Sequence, residues 1–267
     1  MAPPETAGFS VEVAGPVVTV TLDRPQRRNA QLPSMWRGLA ALGEWLPEPT
    51  RVVVLTARGP SFSAGLDLAL LAPPGVPGET DLVEMGALPD HELDALIDSF
   101  QQAFTWWRRP GVVSVASVAG HAVGAGFQLA LATDLRIVAA DARFAVREPA
   151  LGLVPDLGGT ARLVEAIGYA RAVELCLTGR WMDAAEAVAC GLAVTVVPVA
   201  ELAAATADLV AALLAAPEPA SRATLELLRA AAGRARDSLG SPEGLRAQLA
   251  AERAAQRCRL RDLTQAR

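Results

Sequence analysis

The sequence predicts an α/β fold in which helices cover a mostly parallel sheet. Three apolar runs, residues 51–56, 112–118 and 135–139, lack the polar alternation of half-exposed strands and are typical of strands buried on both faces. Segments with helical spacing lie between them. Alternating strands and helices indicate a parallel sheet, and ligands bind such sheets at the carboxyl ends of the strands.

The amino-terminal segment predicts a hairpin, a loop and a helix. Residues 10–14 alternate in polarity, residues 17–22 are rich in β-branched side chains, and a Gly-Pro pair forms the turn between them. Residues 23–32 are polar and contain a proline, which predicts a loop. Residues 33–46 have helical spacing.

The middle of the chain predicts irregular segments around two helices. Residues 59–68 form a turn-rich loop, and residues 72–89 carry enough proline and glycine to be predicted as mobile. Asp90 is predicted to cap a helix that continues to Trp107. A short helix over residues 125–132 follows the glycine-rich turn after the second buried strand.

The carboxyl-terminal part is predicted to be mostly helical. From about residue 160 the chain is rich in alanine and leucine, with one short apolar run at residues 193–197. The arginine-rich tail after Pro217 is amphipathic, which indicates a packing arm, a partner surface or a solvated helix face. Residues 241–261 are expected to pack on the body of the protein or on a neighbouring subunit.

Composition narrows the classes of function. The chain has 267 residues, 52% of them hydrophobic, which is enough for a sizeable core, and its net charge of −5 gives no reason to expect nucleic acid or an anionic membrane as partner. All 24 basic residues are arginine, so lysine Schiff-base chemistry is excluded. The three cysteines lie far apart without a metal-ligand motif, which predicts reduced thiols, no structural metal and a cytoplasmic protein. We also expect no signal peptide and no membrane-spanning segment.

Two glycine-containing turns follow buried strands of the predicted sheet. The first covers residues 61–67 and the second covers residues 120–126, where Gly124 and Gly126 open a helix. The first N–H groups of a helix lack intrahelical partners and carry partial positive charge. One N–H from each turn can therefore bind the same carbonyl oxygen, as an oxyanion hole does, and Glu148 supplies a carboxylate that can move a proton.

Two other kinds of site are less consistent with these residues. A dinucleotide-binding turn needs a third glycine where this chain has Leu129. A serine hydrolase built on Ser63 would need a glycine at position 61, which is serine. His91 lies in the predicted mobile segment, and His121 lies inside the second turn, where lining the site is favoured over acting as a base.

Several motifs together make the chain resemble the enoyl-CoA hydratase/isomerase, or crotonase, family over about residues 11–214. In family order and spacing they are Leu22-Asp-Arg-Pro25 with Asn29-Ala30, Phe62-Ser-Ala-Gly-Leu-Asp67, residues 118–126, Ala132-Thr-Asp-Leu-Arg136, residues 144–159, Leu177-Thr-Gly179 and residues 186–192. The resemblance implies a crotonase-like ββα spiral with a helical C-terminal region. It implies a core at residues 1–198 with the acyl-CoA site, and a trimerisation region at residues 199–267, in a homotrimer or a dimer of trimers.

The resemblance also implies an acyl-CoA thioester as substrate, with no metal and no separate cofactor. The backbone N–H groups of Leu66 and Ala125 would bind the thioester oxygen. Contacts with CoA and the rest of the substrate would come from Arg27, Arg28, Ala30, Ala64, Gly65, Asp67, Leu68, His121, Gly124 and Pro155. The alternative is that Arg27 and Arg28 do not contact CoA and are charged side chains of a solvent-exposed loop.

Three positions decide which reaction of the family is expected. Family hydratases use two glutamates, and this chain has Gln128 at the first position and Glu148 at the second. Gln128 cannot transfer a proton, although it can orient a water molecule or simply line the pocket. Asp156 falls where dienoyl-CoA isomerases of the family carry a second acid, or it caps the following helix. A lone Glu148 is similar to the one-glutamate enoyl-CoA isomerases.

We therefore expect an enoyl-CoA isomerase or enoyl-CoA hydratase that acts through a thioester enolate. Isomerisation is slightly favoured because Gln128 replaces one hydratase glutamate. Thioester hydrolysis, decarboxylation and an inactive acyl-CoA-binding protein remain as alternatives. The last of these would bind CoA esters and convert none of them.

Overall fold

The structure, a computed structural model, describes residues 7–71, 73–234 and 242–265. Its strands are β1 (Phe9–Ala14), β2 (Val17–Leu22), β3 (Val52–Ala57), β4 (Val113–Val118), β5 (His121–Val123), β6 (Leu135–Ala139), β7 (Arg143–Ala145), β8 (Met182–Asp183) and β9 (Thr195–Val197). Its helices are α1 (Pro33–Trp45), α2 (Leu82–Ala87), α3 (Asp90–Thr105), α4 (Ala125–Ala132), α5 (Gly159–Ile167), α6 (Tyr169–Thr178), α7 (Ala184–Ala189), α8 (Leu202–Ala215), α9 (Glu218–Arg234) and α10 (Pro242–Gln265).

A six-stranded sheet in the order β1-β2-β3-β4-β6-β9 forms the centre of the fold. β1 pairs antiparallel with β2, and the remaining neighbours are parallel. Side chains alternate between two apolar layers: Val53 and Leu55 join the main core, whereas Val52 and Val54 join a second layer that includes α8. Burial on both faces explains the continuous apolar runs, and the predicted α/β fold is confirmed.

A second sheet of three short strands, in the order β5-β7-β8, connects the second glycine turn with the segment that carries Glu148. β5 and β7 are parallel, with Val123 opposite Ala145, and Gly124 N–H continues the pairing by donating to Ala145 O at 2.9 Å. The sequence does not predict these strands, because two or three residues are too few to show a periodic pattern. Their pairing brings Glu148 beside the turn.

The segment at residues 72–89 contains a helix, so its prediction as a mobile loop is wrong. Residue 72 itself lies outside the described residues. A capping box begins α2: Asp81 Oδ1 accepts the N–H groups of Val83 and Glu84, both at 2.8 Å, and Glu84 accepts the N–H of Asp81 at 3.3 Å. The Asp-x-x-Glu pattern is the sequence signal for this helix.

Helices α1 and α3 pack through aromatic side chains. α1 begins with Pro33, whose missing N–H costs nothing at the first helical position. Its Trp36 ring lies 5.0 Å from Phe100 and 6.0 Å from Phe104, centre to centre, and Trp36 Nε1 donates to Gln31 Oε1 at 2.7 Å. Burying one such side chain stabilises the fold by about 1.5–3 kcal/mol.

Helix α10 runs antiparallel to α3 and is joined to it by ion pairs. Arg253 Nη1 lies 2.8 Å from Asp98 Oδ1, and Arg257 Nη1 lies 2.5 Å from Asp94 Oδ2. Arg257 Nε also lies 3.5 Å from Asp90 Oδ2. Asp90 is the first residue of α3 and makes no capping bond, so its prediction as the helix cap is wrong.

Residues 241–261 are predicted to pack on the body of the protein, and α10 does so by contacting α2 and α3. Residue 241 itself lies outside the described part of the chain. Leu249 and Leu260 are buried in this contact. Among the described residues no single helix is long and apolar enough to cross a bilayer. The helical segments Val199–Ala215 and Glu218–Ala230 are long and apolar enough only when they are counted together, and the chain bends by 103° between them.

Candidate active site

A cavity of about 610 Å³ lies beside the two turns that follow β3 and β4. The sequence-predicted residues that line it are Arg27, Arg28, Ala30, Ala64, Gly65, Leu66, Asp67, Leu68, Gly124, Ala125, Gln128, Glu148 and Asp156. Apolar side chains of α1, α2 and α3 form a further wall, and α10 contributes Gln256. The fold therefore gathers residues from loops, turns and helices that are far apart in the chain.

Two predicted residues lie outside the cavity wall. His121 is exposed, its ring centre lies 5.3 Å from that of Trp181, and its Nδ1 lies 3.4 Å from Ser61 Oγ. Pro155 is partly buried next to Asp156 and does not line the cavity either.

The two turns approach each other so closely that Gly65 leaves no room for a side chain. Gly65 has φ +88°, and a Cβ there would lie 2.5 Å from Val123 O. The backbone N–H of Gln31 donates to Gly65 O, and the backbone carbonyl of Gln31 accepts the N–H of Asp67. Successive backbone groups of a strand point to alternate sides, so the N–H of Leu66 points away from Gln31.

The second donor lies at the start of α4. Ala125 is the first residue of this helix, so its N–H has no intrahelical partner. A Cβ built on Gly65 would lie 3.5 Å from Ala125 N, which places the two turns side by side at the cavity. Leu66 and Ala125 therefore lie on adjacent turns and both line the cavity.

Glu148 is held beside the second turn by Gln128. Gln128 Oε1 accepts the N–H groups of Leu157 at 3.0 Å and Gly159 at 3.1 Å, which fixes the amide orientation. Its Nε2 then donates to Glu148 Oε1 at 2.7 Å, and Arg147 N–H donates to Glu148 Oε2 at 2.9 Å. Burial raises the pKa of Glu148 above its usual value, and these hydrogen bonds oppose that rise.

Asp156 faces the cavity and carries no capping bond. The following helix, α5, has Gly158 as its cap residue and no side-chain cap, so the alternative role of Asp156 as a helix cap is wrong. Burial, followed by the charges of Glu252 and Glu148, raises the pKa of Asp156 well above its usual range. Two carboxyl groups with raised pKa values therefore share this cavity.

The segment that carries Asp156 is held by helices from distant parts of the chain. Gln101 Nε2 of α3 donates to Asp156 O at 2.5 Å. Glu252 of α10, which is buried, accepts the N–H of Gly158 at 2.7 Å and the hydroxyl of Thr160. Sequence reasoning missed Gln101 and Glu252, because nothing in their local pattern separates them from ordinary helix residues.

The loop at the mouth of the cavity is organised by Asp67, which is buried. Arg24 Nη2 lies 3.2 Å and Arg27 Nε lies 3.9 Å from Asp67 Oδ2. Arg28 and Asn29 both have positive φ, and the Asn29 amide holds this bend by donating to two backbone carbonyls at 2.8 Å. Arg27 and Arg28 are exposed at the cavity mouth as a result.

Comparisons with known proteins match the chain to one family. The sequence model of the family described as Enoyl-CoA hydratase/isomerase matches residues 12–243. A Mycobacterium tuberculosis protein named "Probable enoyl-CoA hydratase" is 35% identical over 189 residues. The match covers 68% of this chain and 66% of that protein, so the chain spans just under two thirds of that relative's length. Carnitinyl-CoA dehydratase of Salmonella typhi is 33% identical over 218 residues, 81% of this chain and 78% of that protein.

Solved structures give the same family. A candidate enoyl-CoA hydratase of Thermobifida fusca, solved in complex with acetoacetyl-CoA, is 47% identical with a TM-score of 0.82, covering 98% of this chain and 100% of that chain. In its complex with CoA it is 47% identical with a TM-score of 0.81, covering 99% of each chain. The predicted crotonase-like fold is thereby confirmed. Since the family match covers most of the sequence, this chain belongs to the enoyl-CoA hydratase/isomerase family.

Proposed function

We propose that this protein is an enoyl-CoA isomerase that moves a double bond along the acyl chain through a thioester enolate. The observation that carries this proposal is the bonding of Gln128. Its carbonyl oxygen is occupied by two backbone N–H groups, and its amide N–H is bound to Glu148. Glu148 is then the carboxylate beside the turn that can exchange a proton with the substrate.

The mechanism requires one proton carrier and two fixed donors. Glu148 removes a proton from Cα of a 3-enoyl thioester, and the electron pair moves onto the thioester oxygen to give a dienolate. The N–H groups of Leu66 and Ala125 bind that oxygen, and one such donor contributes about 3–4 kcal/mol to transition-state stability. Glu148 then returns the proton to Cγ, which leaves a 2-enoyl thioester and the carboxylate as it began.

Hydration is the second candidate, and the names of the relatives favour it. Adding water across a double bond uses one group to deprotonate the water and another to protonate Cα. In this chain Gln128 Oε1 has no free position to accept a hydrogen bond from that water.

A dienoyl-type isomerisation is a further variant of the proposed reaction, and it would use Asp156 as its second acid.

A substrate panel tests the proposal. Purified protein should convert 3-enoyl-CoA to 2-enoyl-CoA faster than it hydrates 2-enoyl-CoA, with the products identified by mass spectrometry and NMR. Gln128→Glu should raise the hydration rate, because it restores a second carboxylate. Faster hydration than isomerisation by the wild type would contradict the proposal. Conversion of 3,5-dienoyl-CoA that is lost in Asp156→Asn would instead identify the two-acid reaction.

The CoA end of the substrate is proposed to bind at the exposed arginines of the cavity mouth. Arg27→Ala with Arg28→Ala should weaken acyl-CoA binding and leave a short pantetheine thioester unaffected, because the shorter ligand lacks the nucleotide phosphates. Each exposed ion pair contributes about 1 kcal/mol or less, and less again at high salt. Calorimetry with both ligands measures this difference. Arg58→Ala, an exposed arginine outside the cavity wall, is the control, and equal weakening of both ligands would reject the placement.

The protein is proposed to assemble as a homotrimer or a dimer of trimers. Helix α6 exposes a row of apolar side chains, Tyr169, Val173 and Leu177, one turn apart, which is the kind of surface that an oligomer covers. Light scattering should give the mass of three or six chains. Leu177→Glu should lower that mass, whereas Val13→Glu, on β1, should not. A monomer at micromolar concentration would contradict the assembly.

A further inference from the structure

Gln256 brings an unpaired amide to the inner wall of the cavity. This residue of α10 is 5% exposed and lines the cavity. Its Oε1 accepts the N–H of Val154 at 3.1 Å, so the amide orientation is set and the NH₂ group faces away from Val154. Among the described residues Nε2 has no hydrogen-bond partner. Two N–H donors are therefore available to a ligand.

Asp156 is a second polar group on the same wall. It lies two residues from Val154, to which Gln256 is bonded, and it also lines the cavity. Its carboxyl group accepts no bond from another side chain of the described residues. Burial and the neighbouring charges of Glu252 and Glu148 raise its pKa, which favours the protonated form, and a protonated carboxyl group is a hydrogen-bond donor.

The cavity also has an apolar region, which α1, α2 and α3 supply. Trp36 of α1, Leu82 and Met85 of α2, and Phe100 of α3 are buried side chains that line it. The indole N–H of Trp36 is already bonded to Gln31. An acyl chain in this cavity therefore meets apolar side chains as well as hydrogen-bond donors.

Helix α10 holds the Gln256 amide in place. The neighbouring residue Arg257 is paired with Asp94, and Arg253, one turn away, is paired with Asp98. Leu260 is fully buried on the next turn. A donor fixed in this way discriminates between ligands better than one on a mobile loop does.

We propose that the natural acyl group carries an acceptor oxygen beyond the thioester carbonyl, either a ketone or a hydroxyl, and that Gln256 selects it. This inference rests on the proposed function. A plain hydrocarbon chain would displace water from the amide and leave buried N–H groups unpaired, which is unfavourable. An oxygen on the chain would replace that water. The substrate class is then an oxygenated acyl-CoA.

The test compares saturated thioesters, which have no double bond to move. Calorimetry measures the Kd of the wild type for hexanoyl-CoA and for 3-oxo-, 4-oxo- and 5-oxohexanoyl-CoA. At least one oxo ligand should bind about fivefold tighter than hexanoyl-CoA. Gln256→Leu should remove this preference without weakening hexanoyl-CoA. Gln256→Met, which keeps the length of the side chain but has no N–H donor, should remove it as well.

Controls separate this inference from the function on which it rests. Gln102→Leu makes the same chemical change at an exposed position of α3 outside the cavity wall and should keep the wild-type preference. Hexanoyl-CoA binding as tightly as every oxo ligand would overturn the inference alone, as would a preference that survives in both Gln256 variants. If none of the four thioesters bound the wild type, the proposed function would fail and this inference with it.

Discussion

Glu148→Gln is expected to lower kcat on 3-enoyl-CoA by about 10²-fold or more, while the Kd for a saturated acyl-CoA changes by no more than a few-fold. The amide has nearly the same size but cannot take up a proton. The proposed donors for the thioester oxygen are the backbone N–H groups of Leu66 and Ala125, which the substitution leaves in place. Steady-state kinetics and calorimetry on the same preparation measure the two effects separately.

The pH dependence gives a second readout for Glu148. Burial raises the pKa of its carboxyl group, and the carboxylate form is the one that accepts the substrate proton. The kcat/KM of the wild type should therefore rise with pH, with its inflection above 4.5, the ordinary value for glutamate. Glu186→Gln, an ion-paired glutamate outside the cavity, should leave both rate and profile unchanged. Full activity of Glu148→Gln would show that another group carries the proton.

Gly65→Ala is expected to lower kcat by about 10²–10³-fold, because one oxyanion-hole donor is typically responsible for an effect of that size. The new Cβ would lie 2.5 Å from Val123 O, so the two turns must separate. The N–H groups of Leu66 and Ala125 could then no longer bind one oxygen together, as proposed above for catalysis. Kinetics on 3-enoyl-CoA, together with a thermal melt, measure the loss.

Gly168→Ala is the matched control for this substitution. Gly168 has φ +79° and Gly65 has φ +88°, so an alanine is strained at both positions. A Cβ at Gly168 meets no atom of the described residues within 4 Å. The control should lose stability without losing kcat, and an equal loss of kcat in both variants would mean that strain alone is responsible.

The strands of the main sheet could be predicted because burial on both faces leaves a continuous apolar run, as in β3, β4 and β6. The second sheet could not, because β5, β7 and β8 are two or three residues long and are defined by their partners. Helix α2 was predictable in principle. Its capping box at Asp81 and Glu84 is a local signal, but the surrounding prolines and glycines favoured a loop.

Part of the candidate site is local in sequence and part is not. Gln128, Glu148 and Asp156 lie in motifs, and the structure places all three at one cavity. The residues that hold them come from elsewhere: Glu252 bonds to a backbone N–H that lies 94 positions earlier in the chain. No periodicity marks Glu252 or Gln256, because their partners are brought close only when α10 docks.

Residues 156–159 connect the candidate site to the carboxyl-terminal helix through backbone groups. Gln101 of α3, Gln128 of α4 and Glu252 of α10 each bond to this segment. If α10 detached, the start of α5 would be released in the same opening event, so amide hydrogens in both regions should exchange with solvent at one rate. A ligand that binds only when this segment is assembled should also stabilise the docking of α10. By thermodynamic linkage, the free energy that ligand binding adds to docking equals the free energy that docking adds to ligand binding.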